Sequence, residues 1–137
     1  MDQKMIEQLV DKYLGVPYRH LGRDLNGVDC LGLAYLFYKD CGIDIPDNDG
    51  SLYEADWFVK DPERYVRGIR RLGTEVPINQ IQPLDFVYFR MGRGVITHGG
   101  VMVTSNAFIH VLERTRVHIS PLDFKWRRRL AGARRIV

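Results

Sequence analysis

Apolar residues near the start of the chain fall at Ile6, Leu9, Val10, Tyr13 and Leu14, one face of a helix, and Gly15 and Pro17 then stop it. The spacing predicts a first helix over about 3–14. Residues 15–29 carry Gly, Pro and Asn without a hydrophobic period and predict a loop whose only aromatic is Tyr18. From Cys30 onward Leu31, Leu33, Ala34, Leu36, Phe37 and Tyr38 cover almost every side of a helix, so this element is expected to be buried on several faces. Asp29 fits its N-cap, Gly42 a left-handed stop, and Pro46 blocks continuation. Residues 47–79 set Trp57, Phe58, Tyr65 and Val66 among many charges, which predicts one or two short helices forming an inserted cap or lid. Runs rich in β-branched and aromatic residues follow at 86–90, 95–103 and 107–112, with a fourth candidate at 116–120. Turn residues separate them, so an antiparallel meander is expected. Helices first and strands afterwards indicate an α+β domain.

The chain of 137 residues suits one domain, 1–137, with one hydrophobic core on which any function must sit. No stretch approaches the roughly 20 apolar residues of a membrane span. Residues 1–12 have the charge spacing of an amphipathic helix rather than the apolar run of a signal peptide, so synthesis in the cytoplasm is expected, and an extracellular substrate would require a carrier. Net charge is only +3, yet Lys125, Arg127, Arg128, Arg129, Arg134 and Arg135 crowd the C-terminal end. A solvated edge with ion pairs is the simplest account, and attraction to an anionic polymer is the other. Nucleic acid is not an expected partner, because Trp126 alone does not make the interleaved aromatics of a single-strand reader.

If residues 30–40 are helical, Cys30 and Cys41 lie about 16 Å apart, beyond the limit of about 7 Å for disulfide Cα atoms. Both are expected to be free thiols. Cys30 falls in the first helical turn, where unpaired N–H groups and the helix dipole favour an anion. If the hairpin between the second and third strands turns on Thr104, Ser105 and Asn106, Gly100 faces His110 and His98 shares that face. A two-residue turn would place the rings on opposite faces. Nucleophilic catalysis needs a thiolate, a base and a group that fixes the base's tautomer, roles that Cys30, His98 and His110 can fill in that order. The Cys30 backbone N–H and the Tyr18 hydroxyl could form an oxyanion hole.

Each residue also has a structural account. Cys30 could be a small buried apolar side chain, either histidine a strand residue, and Tyr18 core packing. Zinc held by Cys30, His98 and His110 is a further alternative, although no close-spaced ligand pair anchors a site. His20 and His118 are taken as structural.

The stretches GVPYRHLGRDLNGVDCLGL (15–33), QPLDFVYF (82–89), THGGVMV (97–103), FIHVLERTRVHISPL (108–122) and GARRIV (132–137) closely resemble the NlpC/P60 family of papain-like cell-wall cysteine peptidases. They follow, in order, its loop tyrosine, its Asp-Cys-Ser-Gly helix start, its Pro-Gly-Asp strand, its His-Val-Gly strand and its second histidine. The resemblance implies a helix carrying a nucleophile, packed on an antiparallel sheet carrying the histidines. By position Cys30 would be the nucleophile, His98 the base and later acid, His110 its orienting partner, and Tyr18 the tyrosine lining the site, with Asp29 and Leu31 beside the nucleophile. The implied substrate is the γ-D-glutamyl bond to the diamino acid of peptidoglycan stem peptides, cut through an acyl-enzyme without cofactor or metal.

Two positions depart from the pattern: Leu31 stands where the family usually has Ser, and Leu84 where it usually has Gly. The serine can help bind the polar end of a substrate, so Leu31 bears on specificity more than on chemistry. These departures, with the segment 47–79 and the short length, resemble the phage-tail branch of the family, which implies tail proteins as partners and delivery to the wall within a virion. Two other functions fit the same fold: a non-catalytic tail or wall-binding module, and an acyltransferase with the same triad.

Overall fold

Helix α1 (Gln3–Tyr13) opens at Asp2, whose carboxylate accepts the Met5 N–H, and turns Ile6, Val10 and Tyr13 inward. This computed structural model describes residues 2–46, 57, 61–92 and 94–137. Tyr13 and Lys12 both bond Asp40, at 2.6 and 2.7 Å, which ties α1 to the end of the next long helix. Residues 15–18 then run beside 115–117, with Gly15 N–H donating to the Val117 carbonyl and Tyr18 N–H to that of Thr115. The expected loop contains a small hairpin, β1 (Arg23–Asp24) against β2 (Gly27–Val28), that no hydrophobic period announces.

Helix α2 (Cys30–Asp40) begins as expected at Asp29, whose Oδ1 accepts the Gly32 N–H at 2.8 Å. Gly42, at φ 85°, supplies the left-handed stop. Phe37 and Tyr38 are fully buried, which accounts for an apolar run that fills nearly the whole circumference. Of the segment 47–79, residues 47–56 and 58–60 lie outside the described residues. Its described part includes helix α3 (Arg64–Ile69) and strand β3 (Thr74–Val76).

Strands β4 (Phe86–Met91), β5 (Val95–Met102), β6 (Ala107–His110) and β7 (His118–Pro121) form the expected meander. The sheet is larger than the sequence predicts. After β7 the chain makes a short helix α4 (Phe124–Arg127) and a strand β8 (Leu130–Arg135) that inserts between β3 and β4, giving the order β3-β8-β4-β5-β6-β7. The basic C-terminal end is therefore partly structural. Arg135 grips the buried Asp85 at 2.9 Å, and Arg134 donates to the Leu72 and Gly73 carbonyls.

Alternation along the strands divides the core in two. Phe86, Tyr88, Val101, Val103 and Ile109 face α1 and α2 in one cluster. Val87, Phe89, Met102, Phe108 and Ala133 pack with Trp126 of α4 in the other. His98, paired with Phe89, and His110, two residues beyond Phe108, belong to the Trp126 side. Cys30 belongs to the helix side. How the thiol reaches the imidazoles is thus a question about β5, the strand between them.

Candidate active site

Two irregularities in β5 answer it. Consecutive β4 residues Phe89 and Arg90 pair with His98 and Ile96, so Thr97 is an extra residue, a bulge of the kind that re-aims neighbouring side chains. On the other side the ladder to β6 runs through Met102↔Phe108 and Val101↔Ile109 and stops short of Gly99. Met102 bonds toward β4, so Gly99, three positions before it, turns its N–H away from β4 into that opening. The Cys30 sulfur sits there, with the Gly99 backbone as a hydrogen-bond partner and the Thr97 carbonyl 3.9 Å away. The thiol therefore lies at the gap in the ladder, between the two faces of the sheet.

The histidines meet as the three-residue turn predicts. His98 Nε2 and His110 Nδ1 are 2.8 Å apart, and both rings are buried. Phe89, Phe108 and Trp126 wall them in, with Trp126 edge-on to His110 at 5.0 Å between ring centres. The far nitrogen of His110, Nε2, lies 2.7 Å from Ser120 Oγ on β7. His98, His110 and Ser120 form a continuous line. Because His98 Nε2 is committed to His110, Nδ1 is the nitrogen left for a reacting group. Among the described residues no hydrogen bond joins the thiol to either imidazole.

Electrostatics in this state favour neutral groups. Burial, and then the Asp29 charge, push the Cys30 thiol up to about 12; the Gly99 and Leu31 backbone N–H groups and the Tyr65 hydroxyl pull the other way without prevailing. The thiolate expected from the helix N-terminus is thus not the resting form. Burial also lowers His98 to about 3, with the His118 charge adding to it, and His110 to about 2, with His98 and His118 adding. Both imidazoles are therefore neutral near pH 7 in this arrangement.

The remaining expected residues are placed as follows. Tyr18 lies near enough to Asp29 and Cys30 for their charges, after burial, to raise its hydroxyl to about 12. Asp29 is buried and engaged: Oδ1 accepts from Gly32 and from Arg23 at 2.9 Å, and Oδ2 from the Leu21 N–H at 3.0 Å. Its visible work is to cap α2 and aim Cys30. Leu31 is half-buried against the helix-side core. Leu84 is buried at φ 72°, a conformation that explains why glycine suits this position. Both cysteines are free thiols, as expected. Among the described residues no three His, Cys, Asp or Glu side chains are grouped to hold a metal ion, and no helix is long and apolar enough to cross a membrane.

Two neighbours of the site, Tyr65 and Ser120, were not singled out from the sequence as site residues, and a third, His118, was taken as structural. Tyr65 of α3 is buried with its hydroxyl over Gly99 and beside the Cys30 sulfur, its ring stacked on Trp57 at 6.1 Å. Ser120 has no local signature, although the pairing of β6 with β7 puts it two positions from the partner of His110. His118 is that partner, with its ring 4.4 Å from the His110 ring. A full register for the fourth strand would have exposed both Ser120 and His118.

A family model for NlpC/P60 matches residues 15–135, from the turn after α1 to the end of β8. The chain belongs to the NlpC/P60 family. It is 30% identical over 124 residues to the "Probable endopeptidase NlpC" of Escherichia coli, across 89% of this chain and 70% of that protein. The "Probable endopeptidase NlpC homolog" of Haemophilus influenzae is 27% identical over 139 aligned positions, across 100% of this chain and 64% of that one. An NlpC/P60 family protein from Bacillus cereus, solved as a crystal structure, superposes with a TM-score of 0.75 at 26% identity over 99% of this chain. This chain spans only 40% of that protein. The expected NlpC/P60 fold, an α+β arrangement with the Cys30 helix packed on an antiparallel sheet, is the fold observed.

Proposed function

We propose that the chain is a cysteine peptidase acting on amide bonds of peptidoglycan stem peptides, the γ-D-glutamyl bond to the diamino acid being the favoured target. The observation that carries this reading is the buried His98–His110 pair, at 2.8 Å, which joins β5 and β6 beside the ladder gap that receives Cys30. In the proposed reaction His98 Nδ1 takes the thiol proton as sulfur attacks the carbonyl carbon. His98 then gives that proton to the leaving nitrogen, and the C–N bond breaks to leave a thioester on Cys30. Water, deprotonated by His98, attacks the thioester, releases the acid and restores the thiol. The backbone N–H of Cys30 and the Tyr18 hydroxyl are the proposed donors to the tetrahedral oxyanion. Leu31 and the segment 47–79, as a cap, would shape the subsites. Delivery with a phage tail belongs to the same proposal and predicts that the protein co-purifies with virions.

One observation favours a second reading. Among the described residues no hydrogen bond joins Cys30 to His98, an arrangement that also fits a wall-binding module without turnover. Incubating defined stem peptides with the wild type and with Cys30→Ala, and identifying fragments by mass spectrometry, separates the two. Hydrolysis by the wild type and none by Cys30→Ala supports the peptidase. Binding of purified wall without fragments from either protein supports the module, and transfer of the acyl group to an added amine in place of water would make the enzyme an acyltransferase.

A further inference from the structure

The helix that carries Cys30 opens on a buried negative charge. Asp29 stands directly before the thiol, and its carboxylate opposes a second negative charge on the sulfur. Attack by Cys30 nonetheless requires the sulfur to carry that charge. Capping alone does not call for an ionised group, since asparagine and serine cap a helix about as well as aspartate. The Asp29 charge therefore has a cost at the sulfur that its capping role does not explain, and the size of that cost depends on what lies on the other side of the carboxylate.

Arg23 of β1 lies there. Its Nη1 donates to Asp29 Oδ1 at 2.9 Å and to the Gly22 carbonyl at 2.8 Å. A guanidinium only donates and does not lose its proton in a protein, so the direction of the bond and the sign of the charge are both fixed. The Asp29 side chain is 5% exposed and that of Arg23 21%, so little water screens the pair. The contact is also built into the fold. A Cβ on Gly32, in the first turn of α2, would stand 2.7 Å from Arg23 Nη1 and would strike the Gly22 carbonyl. Glycine at 32 thus opens the slot in which the arginine lies. The titratable and charged groups around Asp29 and the sulfur are Tyr18 in the preceding loop, Arg23 on β1, Tyr65 on α3 and, at the ladder gap, His98 of β5. Of these four, Arg23 alone carries a permanent positive charge.

We infer that Arg23 is a positioning residue, which holds the Asp29 carboxylate and offsets its charge so that the cap of α2 does not repel a thiolate on Cys30. This rests on the proposed role of Cys30 as nucleophile, but it is read from the thiol itself, without turnover.

The test measures alkylation of Cys30 at pH 8 by iodoacetamide, a neutral reagent that reacts with the thiolate, with peptide mass mapping to separate Cys30 from Cys41. The wild type is compared with Arg23→Gln, Arg23→Lys, Asp29→Asn and the double variant Arg23→Gln/Asp29→Asn. Asparagine keeps an oxygen for the Gly32 N–H, so α2 keeps its cap. Arg23→Gln leaves the carboxylate charge unopposed and should slow alkylation about three- to tenfold. Arg23→Lys keeps the charge, and because only Nη1 makes the contact it should retain most of the wild-type rate. Asp29→Asn removes the repulsion and should speed alkylation by a similar factor. In the double variant the two effects oppose each other, and the rate should return close to that of the wild type. A purely structural clamp gives a different pattern, because breaking the same bond from either side loosens the head of α2 and moves both single variants in one direction. Arg23→Gln at or above the wild-type rate overturns the inference, as does Asp29→Asn at or below it, or a double variant as slow as Arg23→Gln. If instead Cys30→Ala still hydrolyses stem peptides, the proposed function fails, while the order of alkylation rates stands or falls separately.

Discussion

His98 and His110 share one hydrogen bond, Nε2 to Nδ1 at 2.8 Å, in a pocket closed by Phe89, Phe108 and Trp126. Their folded values, about 3 and about 2, lie below the ordinary histidine value of 6.5. Below that ordinary value the unfolded chain binds protons that the folded chain refuses, so stability is fully present above it and is lost as pH falls toward the folded values. The pair is expected to remove roughly 1–3 kcal/mol of stability per pH unit across that window. Denaturant unfolding at pH 7, 6 and 5 measures it. A stability that stays flat from pH 7 to 5, or an identical decline in a His98→Gln/His110→Asn double variant, would show that the rings are not the cause.

Tyr65 brings a hydroxyl to the Cys30 sulfur from the far side of Gly99. Tyr65→Phe keeps the ring on Trp57 and removes only that hydroxyl. Loss of a hydrogen bond that favours the thiolate is expected to slow alkylation of Cys30 by iodoacetamide about three- to tenfold at pH 8. In the wild type the raised thiol predicts a rate that still climbs beyond pH 9. A plateau below pH 8 would mean that an ion pair with His98 forms before substrate arrives.

Gly99 is the narrowest point between these groups. A methyl group there would meet the Phe86 ring and the Tyr65 hydroxyl, both held in the helix-side core. Gly99→Ala is therefore expected to cost about 1–3 kcal/mol through overpacking and to slow Cys30 alkylation by moving Tyr65. Gly68 in α3 is the matched control, because nothing lies within 4 Å of a Cβ added there. Gly68→Ala is expected to stabilise by up to about 1 kcal/mol through helix propensity. Thermal melts of the two variants should move in opposite directions, and a shared direction contradicts the packing account.

What could be read in the chain depended on how local the cause was. Ile6, Val10 and Tyr13 announce α1 through spacing, and Asp29 and Gly42 bracket α2 by capping. The shared face of His98 and His110 followed from the length of one turn. Strand β8 was not legible, because residues such as Gly132 and Arg134 have little strand character by themselves. It forms because β3 and β4 pair it on both sides, and because Arg134 and Arg135 find carbonyls and Asp85. The helix dipole alone did not foretell the charge state of Cys30, since burial and Asp29 act on the same sulfur. Tyr65 and Ser120 reach the site only through tertiary contacts, which no window of sequence contains.

Leu84 offers a test of how the departure from glycine is tolerated. At φ 72° a leucine sits in the left-handed region, at a backbone penalty of about 1–2 kcal/mol. It stays there because its side chain is buried in the helix-side core, a gain of about 1.5–3 kcal/mol. The backbone is pinned on both sides, by Leu84 N–H to the Met102 carbonyl and by the Tyr38 hydroxyl to the Leu84 carbonyl, each at 2.8 Å. Leu84→Ala removes the burial and keeps the backbone penalty, so it is expected to cost about 2–4 kcal/mol. Leu84→Gly removes both, and should be less destabilising than alanine by about 1 kcal/mol, the reverse of their order at an ordinary position. Denaturant midpoints for the two variants decide the matter: alanine at or above glycine would mean that the backbone relaxes out of the left-handed region once the leucine is gone.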